Sequence, residues 1–428
     1  MSRHLPPASR LLRLAKAAGL GARVGAEKVA GLLGGKQSEE RIAAAASEVL
    51  GELRGLALKV GQLASYIDGF VPGANQEIYE RALASLRDAA PSMSAEAARR
   101  VVAQELGQSP EVLFAQWSAT PFASASLGQV HSAVLNDGRR VAVKVQYEGI
   151  DKAVENELAL GSLVLFLGPL GKKAMLEDQF REARARFLEE LDYHHEAEAQ
   201  AAFQLLFRAD PQIGVPNVIR EYCTRRVLTT QLVQGLKFDE ACRANEPQRC
   251  EWAKILWRFA FESVLTGLFN ADPHPGNYLF EEHRIWFLDF GCTKRLPKEL
   301  VERFRDVHRA AVSLDERRFL EAARRCVGEP KSVDHARRMD DYFRLCFAPL
   351  LTAGPFRVTR PYARKLLEDI RANFLVLLKG SERDYAPLSP DFLFLNRLQL
   401  GFYSVLARLD VAVDYRELET AILAKIAA

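Results

Sequence analysis

The spacing of apolar residues changes along the chain, and each change marks a different kind of structure. Up to about residue 106, apolar side chains recur every three or four positions among Ala, Leu, Glu and Arg, which predicts helices. After Pro121 the pattern alternates from 126 to 135 and again from 140 to 146. The intervening Asn136-Asp137-Gly138 tolerates positive φ angles, so two strands joined by a tight turn are expected.

The helical pattern returns from about 152 to 207, and a second β-like stretch runs from Val215 to Gly235. From Trp252 onward the chain is mainly helical, except in 272–296, where loops are combined with short strands. The order predicts an α+β chain with two lobes, a small β-rich lobe and a large helical lobe. The predicted domains are a basic segment at 1–36, a helical extension at 37–115, a small lobe with inserted helices at 116–235 and a large lobe at 236–428.

Length, composition and charge describe an ordinary globular chain. Its 428 residues are 48% hydrophobic and 26% charged, enough to bury a sizeable core. The formal net charge of +3 is small for this length, so no nucleic-acid partner is expected. The six cysteines include no CxxC pair and no Cys/His cluster of zinc-finger spacing, which favours free thiols over structural zinc.

No membrane span is expected, because no apolar run reaches the roughly 18 to 20 residues that cross a bilayer. Residues 1–36 lack the apolar core of a secretory signal but carry seven Lys or Arg against one acid, Glu27. That composition also suits a transit peptide, although a cytoplasmic protein is preferred. An interfacial helix in this segment predicts reversible contact with a membrane surface, and a soluble helix packed on the core is the alternative.

Three polar motifs follow one another in the order of a kinase nucleotide site. Lys144 ends an alternating strand, where kinase-like small lobes place a phosphate-contacting lysine, although many surface strands also end in lysine. Asp272 is followed five positions later by Asn277, the spacing of a catalytic Asp and a metal-binding Asn. Asp289 opens an Asp-Phe-Gly turn, 17 positions after Asp272. Together the motifs predict a site for ATP and Mg²⁺.

A cluster of carboxylates lies between the first and second of these motifs. Asp192 and Glu196 are four residues apart and would share a face of a helix, with Glu190 nearby. One of these carboxylates is expected to pair with Lys144, and Glu196 is preferred over Glu190. A solvated acidic helix face is the alternative.

Two features of ordinary protein kinases are missing. The glycine-rich loop is replaced by the stretch from Phe122 to His131, which is rich in Ala and Ser and contains one glycine. Its small residues still allow the backbone to approach phosphates, but a stiffer loop with unusual nucleotide preference is expected. After Gly291 the helical pattern resumes at about Pro297, without an Ala-Pro-Glu motif or a long activation segment. The platform for a peptide substrate is therefore expected to be absent.

These residues resemble the UbiB/AarF family of atypical kinases, whose eukaryotic members are the ADCK proteins. The resemblance runs from about residue 58 to residue 397. The matching motifs are Lys59-Val-Gly-Gln62, the Ala-rich loop from Ala123 to His131, Glu190-Leu-Asp192, Ala271-Asp-Pro-His-Pro-Gly-Asn277 and Leu393-Phe-Leu-Asn-Arg397.

The resemblance implies a bilobal protein-kinase-like fold whose N-terminal helical extension covers the active site. It implies MgATP binding, ATPase activity and a role in ubiquinone or other isoprenoid-lipid metabolism at membranes, with a small-molecule or lipid acceptor rather than a protein. By motif position it assigns Lys144 to the nucleotide, Glu196 to Lys144, Asn277 and Asp289 to the metal and Asp272 to catalysis. The nucleotide loop would comprise Ala123, Ser124, Ala125, Ser126, Gly128, Gln129 and Val130.

The Lys59-Val-Gly-Gln62 motif predicts an inhibitory plug over the active site. Lys59 would meet the carboxylate pair of Glu190 and Asp192, and Gln62 would add a hydrogen-bonding amide. A helix held in this way would occupy the space of a protein substrate. These four residues are therefore predicted to be regulatory, although a lone lysine on a helix is usually only solvated.

The chain also departs from the family pattern at four positions. Ser124 and Leu127 vary the Ala-rich loop, Asn270 stands where a histidine is usual, and Cys292 follows the Asp-Phe-Gly turn where an alanine is usual. None of these changes removes a predicted ligand.

Three functions remain open on the sequence alone. The preferred one is an ATPase or small-molecule kinase that supports lipid-quinone biosynthesis. The second is a nucleotide-gated lipid-binding scaffold with little catalysis. The third is a small-molecule kinase of the choline or aminoglycoside type, which shares the Asp and Asn motifs but lacks Lys59-Val-Gly-Gln62. The acceptor and the oligomeric state cannot be named from the sequence.

Overall fold

The computed structural model of the chain describes residues 93–125, 127–150, 191–328, 330, 332–379 and 390–427. Their contacts form two compact units. Of the described residues, the smaller unit contains those within 93–112, 117–131 and 144–150, and the larger unit contains 113–116, 132–143 and those from 191 onward. The predicted plug residues Lys59, Gln62 and Glu190, the loop residue Ser126 and the basic segment 1–36 lie outside the described residues.

The predicted hairpin is present and forms part of a five-stranded sheet. Its turn is closed by Gly138, whose φ of 88° a residue with a side chain rarely adopts, and whose amide donates to Leu135 O at 2.9 Å. Strands of this sheet follow the order β1-β3-β4-β6, and β2 pairs with β3. They are β1 (Gln116–Trp117), β2 (Ala123–Ala125), β3 (Gly128–Val134), β4 (Arg140–Gln146) and β6 (Val227–Gln231).

The short strands predicted within 272–296 belong to two small sheets of the larger unit. One contains β5 (Ile213–Gly214), β9 (Arg284–Phe287) and β8 (Tyr278–Glu281), and the other pairs β7 (Leu268–Asn270) with β10 (Thr293–Arg295). The linker predicted near Val233 to Gly235 follows β6. It leads to a bridge in which Leu236 N donates to Phe280 O at 2.8 Å, so the linker is fixed against β8.

Most of the other ordered elements of the described chain are helices. Two precede the hairpin and one, α3, precedes the second β segment; the others follow the linker. They are α1 (Ala95–Leu106), α2 (Pro110–Leu113), α3 (Tyr193–Leu206), α4 (Phe238–Ala241), α5 (Glu246–Thr266), α6 (Lys298–Val312), α7 (Glu316–Val327), α8 (Val333–Cys346), α9 (Ala348–Leu351), α10 (Arg360–Lys379), α11 (Pro390–Leu409) and α12 (Tyr415–Ala427). The short strands β11 (Phe356–Arg357) and β12 (Ala412–Val413) pair antiparallel.

The core of the larger unit is built around α5. Its residues Trp252 and Trp257 are almost fully buried, and Asn245 caps its start by accepting from Gln248 N at 2.9 Å. Glu419 of α12 is also fully buried, and its carboxylate accepts from Trp257 Nε1 at 2.7 Å and lies 2.6 Å from Nδ1 of His308. The last helix is therefore anchored in the core by hydrogen bonds as well as by apolar contacts.

Two further expectations concern cysteines and the membrane. All six cysteines are free thiols, as predicted, and burial raises the pKa of Cys326 to about 11 and that of Cys346 to about 12. None of the helices in the described ranges is both long enough and apolar enough to cross a membrane.

Candidate active site

Two loops of the larger unit, 271–277 and 288–292, are joined by backbone hydrogen bonds at both ends. Ala271 N donates to Cys292 O at 2.8 Å, and Leu288 N donates to Asn277 O at 3.0 Å. Pairing of β7 with β10 and of β8 with β9 extends these contacts on either side. The sheets therefore bring the predicted catalytic loop and the predicted metal-binding turn next to each other.

Asp272 and Asn277 contact each other directly within the first loop. Asn277 Nδ2 donates to the carboxylate Oδ2 of Asp272 at 3.2 Å. Because the amide nitrogen faces Asp272, the amide oxygen faces away from it, which is the orientation needed for a metal ligand. The loop is shaped by His274, whose Nδ1 accepts from Gly276 N at 3.0 Å. Burial and the charge of Asp272 raise the pKa of Tyr278, the next residue after Asn277.

Asn270 connects the two loops through its side chain. Its Nδ2 donates to Asp289 O at 2.6 Å, and its Oδ1 accepts from Asp272 N at 3.0 Å. Asn270 is buried, with 8% of its surface exposed. The sequence singled out this residue only as a departure from the family pattern, and it gave no sign of the two hydrogen bonds.

The Asp-Phe-Gly turn is anchored by packing of its aromatic residue, Phe290. Asp289 Oδ1 accepts from Gly291 N at 3.0 Å, which sets the direction of the carboxylate. Phe290 is fully buried, and its ring centroid lies 4.9 Å from that of Phe203 on α3. The helix that carries Glu196 therefore packs on the turn that carries Asp289.

The carboxylates of Glu196 and Asp289 both lie close to the position that a Cβ on Gly291 would occupy. A Cβ placed on Gly291 would be 3.3 Å from Asp289 Oδ1 and 3.6 Å from Glu196 Oε2. Glu196 is 5% exposed. A carboxylate as buried as that of Glu196 is stabilised by cations and by hydrogen-bond donors. The arrangement suits Glu196 as the partner of a site lysine.

The position of Asp192 differs from the prediction that it shares a helix face with Glu196. Helix α3 begins at Tyr193, and Asp192 is the residue before it, whose side chain accepts from His194 N at 2.9 Å. An aspartate is well suited to this N-cap position, which explains why the helix starts there. Its carboxylate therefore caps the helix. The predicted regulatory contact with Lys59 stays a prediction, because Lys59 lies outside the described residues.

The Ala-rich loop forms a short hairpin in the smaller unit. Ala123, Ser124 and Ala125 pair with Val130, Gln129 and Gly128 of β3. Ala123 and Ser124 are exposed. Gly128 is required by packing, since any Cβ there would overlap the backbone oxygen of Val145.

Gln129, a predicted nucleotide residue, uses its side chain inside the smaller unit. Its amide exchanges two hydrogen bonds with the backbone of Met93, at 2.9 Å and 3.3 Å. The same Nε2 lies 2.9 Å from Nε2 of His131. Gln129 is 1% exposed. Any contribution of Gln129 to a nucleotide would therefore come from its backbone.

The remaining predicted residue, Lys144, is half-buried on β4 and belongs to the smaller unit. Asp272, Asn277, Asp289 and Glu196 all belong to the larger unit, which brings them together as described above. The pairing of Lys144 with Glu196 stays a prediction.

A family model described as the ABC1 atypical kinase-like domain matches residues 85–323, more than half of the chain. The match covers the hairpin, the catalytic loop and the Asp-Phe-Gly turn. It ends before α8, so the five helices from α8 to α12 lie outside it.

Curated relatives include mitochondrial atypical kinases. The chain is 32% identical over 260 residues to the Saccharomyces cerevisiae protein named atypical kinase COQ8, covering 59% of this chain and 51% of the yeast protein. It is 31% identical over 334 residues to atypical kinase COQ8B of Rattus norvegicus, covering 74% of this chain and 62% of the rat protein. The chain thus spans only about half to three fifths of the length of these relatives.

A solved structure supports the fold. The Rv3197–erythromycin complex from Mycobacterium tuberculosis is similar with a TM-score of 0.62 and 28% sequence identity, covering 86% of this chain and 92% of that one. The predicted kinase-like combination of helices and sheets is thereby confirmed.

Proposed function

Because the chain belongs to the ABC1 atypical kinase-like family, as its resemblance to UbiB/AarF proteins predicted, we propose that it binds MgATP and acts as an ATPase or small-molecule kinase. The observation that carries this proposal is the hydrogen-bonded set of Asp272, Asn277 and Asp289. Their residue types and their order along the chain are those of a kinase phosphoryl-transfer site.

Each residue has a defined part in the proposed chemistry. Asp272 would accept the proton of an attacking hydroxyl or water, and the hydrogen bond from Asn277 Nδ2 would orient its carboxylate. Lys144 would bind phosphate oxygens, and Glu196 would orient Lys144. The exposed residues Ala123 and Ser124 would cover the phosphates, as small residues allow a close approach.

The residues present fit a magnesium ion. Asn277 and Asp289 offer hard oxygen ligands, and the bond from Asn277 Nδ2 to Asp272 turns the amide oxygen away from that carboxylate. In the described part of the chain, no group of three or more His, Cys, Asp or Glu side chains could hold a metal by itself. Mg²⁺ commonly uses one or two protein ligands together with phosphates and water, and when bound it neutralises charge on the phosphates.

The proposed acceptor is a small molecule or an isoprenoid lipid. Residues 290–297 alone separate Asp289 from α6, so this stretch, described throughout, leaves little chain for a peptide platform. The curated relatives are mitochondrial atypical kinases, and the structural neighbour was solved with erythromycin, a small molecule. By analogy we place the protein in ubiquinone or related lipid biosynthesis, acting beside a membrane. We also propose that domain boundaries at 36, 115 and 235 separate the basic segment, the helical extension, the small lobe and the large lobe.

The test combines ATP turnover with thermal unfolding in MgATP. The parent should hydrolyse ATP and melt at a higher temperature with MgATP, because a ligand that binds only the folded state stabilises it. Asp289→Asn removes a negative charge from the metal site and should abolish most of this stabilisation. Asp306→Asn is the control, because Asp306 is exposed and pairs with Arg309 one turn away on α6, outside the proposed site.

The possible outcomes separate the alternatives. Equal MgATP stabilisation of the parent and Asp289→Asn would contradict the metal assignment. Stabilisation without turnover, even with a polyprenyl phenol in detergent, would favour the nucleotide-gated scaffold. Turnover stimulated by the polyprenyl phenol would favour the lipid-directed enzyme.

A further inference from the structure

We propose that Asn270 is a positioning residue that holds the catalytic loop and the metal-binding turn in register. This inference rests on the proposed function, for which Asp272 and Asp289 are the reacting and metal-binding carboxylates. Asn270 is not itself expected to touch the nucleotide. Its side-chain amide instead contacts both loops, one through its nitrogen and the other through its oxygen.

The two hydrogen bonds fix one orientation of the amide. Asn270 Nδ2 donates to Asp289 O at 2.6 Å, while Oδ1 accepts from Asp272 N at 3.0 Å. A flipped amide would place an oxygen against the carbonyl of Asp289 and an NH₂ group against the amide of Asp272. Both contacts would then be repulsive, so the side chain can satisfy the two loops only together.

The backbone of Asn270 is itself fixed. It is the last residue of β7 and stands opposite Thr293 of β10, and the next residue, Ala271, donates to Cys292 O. A buried side chain on such a base has little freedom, which is the condition for precise placement of neighbouring groups. The amide is also neutral, so it adds no charge beside two carboxylates.

A neutral histidine at this position also offers one donor and one acceptor. The chain shows the accepting contact locally, because Nδ1 of His274 accepts from the amide of Gly276, two residues later, at 3.0 Å. Asn270 and Asp272 have the same two-residue relation. A neutral histidine at 270 would accept from Asp272 N through Nδ1 and donate through Nε2–H. The role therefore needs a donor and an acceptor, and Asn270→His supplies both.

The first experiment measures ATP turnover at pH 8, where an ordinary imidazole is neutral. Asn270→Ala, which loses both bonds, should lower kcat about tenfold or more with KM changed by less than about threefold, because misplaced reacting groups cost turnover more than binding. Asn270→His should restore kcat to within about threefold of the parent. Asn270→Asp keeps only the acceptor and should resemble Asn270→Ala.

The control is Asn245→Ala, which removes the same kind of side-chain bond to a backbone amide, at the start of α5. It should lower the melting temperature and leave kcat unchanged. If Asn245→Ala and Asn270→Ala lower kcat alike, or if Asn270→His fails to restore it, Asn270 is only a structural residue and the inference is overturned.

The second experiment does not depend on nucleotide. Amide hydrogen exchange at one pH should be faster in both 271–277 and 288–292 of Asn270→Ala, and unchanged in Asn270→His. Faster exchange in neither loop, or in one alone, contradicts the positioning role. A parent that neither binds nor hydrolyses MgATP would overturn the proposed function, while the exchange result would still decide the role of Asn270.

Discussion

Gly401 of α11 faces Pro273 so closely that a Cβ on Gly401 would lie 2.5 Å from Pro273 Cγ. Pro273 directly follows Asp272 in the catalytic loop and is buried. Helix α11 therefore packs against the catalytic loop at Pro273. Since α11 lies beyond the residues matched by the family model, the C-terminal helices are part of the scaffold of the site.

Gly401→Ala should displace the catalytic loop. Alanine normally stabilises a helix by about 1 kcal/mol relative to glycine. Here the overlap with a proline ring should outweigh that gain, because overpacking a filled site costs about 1–3 kcal/mol. We expect a lower melting temperature and a kcat reduced roughly tenfold, since Asp272 moves with Pro273.

Ser404→Ala is the matched control, because Ser404 is exposed on the same helix. It should leave both kcat and melting temperature close to those of the parent. A Gly401→Ala variant that is more stable than the parent and equally active would show that the loop has room for the methyl group.

Glu419→Ala should destabilise the larger unit strongly. The fully buried carboxylate of Glu419 hydrogen bonds to Trp257 and His308. Its removal takes that hydrogen-bond partner away from both side chains. Losing a buried shared partner costs about 2–4 kcal/mol, and Glu419→Gln, which keeps one acceptor, should cost less. Urea unfolding measures both, with Glu417→Ala, an exposed change on the same helix, as the control. Equal stability of the Ala and Gln variants would contradict this ranking.

The local features of the fold could be predicted from the sequence. Alternation and an Asn-Asp-Gly turn predicted the hairpin of β3 and β4, and short motifs predicted the two loops that bring Asp272 and Asp289 together. These features depend on neighbouring residues, which is why a single sequence reveals them.

Features that depend on tertiary register could not be predicted. Asn270 reaches Asp289, 19 positions away, because β7 pairs with the three-residue strand β10. No pattern in the sequence predicted that pairing. Gly401 is likewise needed because of a loop far away in sequence. The error at Asp192 had a different cause: a shift of one residue at a helix start turns a face residue into a cap.

Stability of the smaller unit should fall in mild acid because of His131. Its Nδ1 bonds Ser118 O at 2.8 Å and its Nε2 faces the amide nitrogen of Gln129, so the neutral form fits and a second ring proton would oppose Gln129. Burial lowers the pKa of His131, against a smaller opposing effect of the bond to Ser118. The unfolded chain therefore takes up the proton first.

The sign follows from that difference in pKa. The contribution of His131 is fully present above the ordinary histidine pKa of about 6.5 and is lost as pH falls through the lower pKa of the folded state. Chemical unfolding of the parent between pH 7.5 and pH 5 should show this loss. His131→Asn can still donate to Ser118 O but does not titrate there, so its stability should be lower at pH 7.5 and change less with pH. Parallel pH curves for the two proteins would rule His131 out as the titrating group.

The predicted pair of Lys144 and Glu196 is best tested by a double-mutant cycle. Glu196 is buried and lies close to Gly291 of the Asp-Phe-Gly turn, and Lys144 is the cation that the motif order assigns to it. Lys144→Arg keeps the charge but changes its geometry, so it should lower turnover much more than the melting temperature. Glu196→Gln should lower turnover by a similar factor. If the two residues act as a pair, the double variant should be little worse than either single one, because the interaction is lost only once. Single effects that multiply in the double variant would show that Lys144 and Glu196 act independently. The control is Glu198→Gln, an exposed change on the same helix as Glu196, which should leave turnover unchanged in every background.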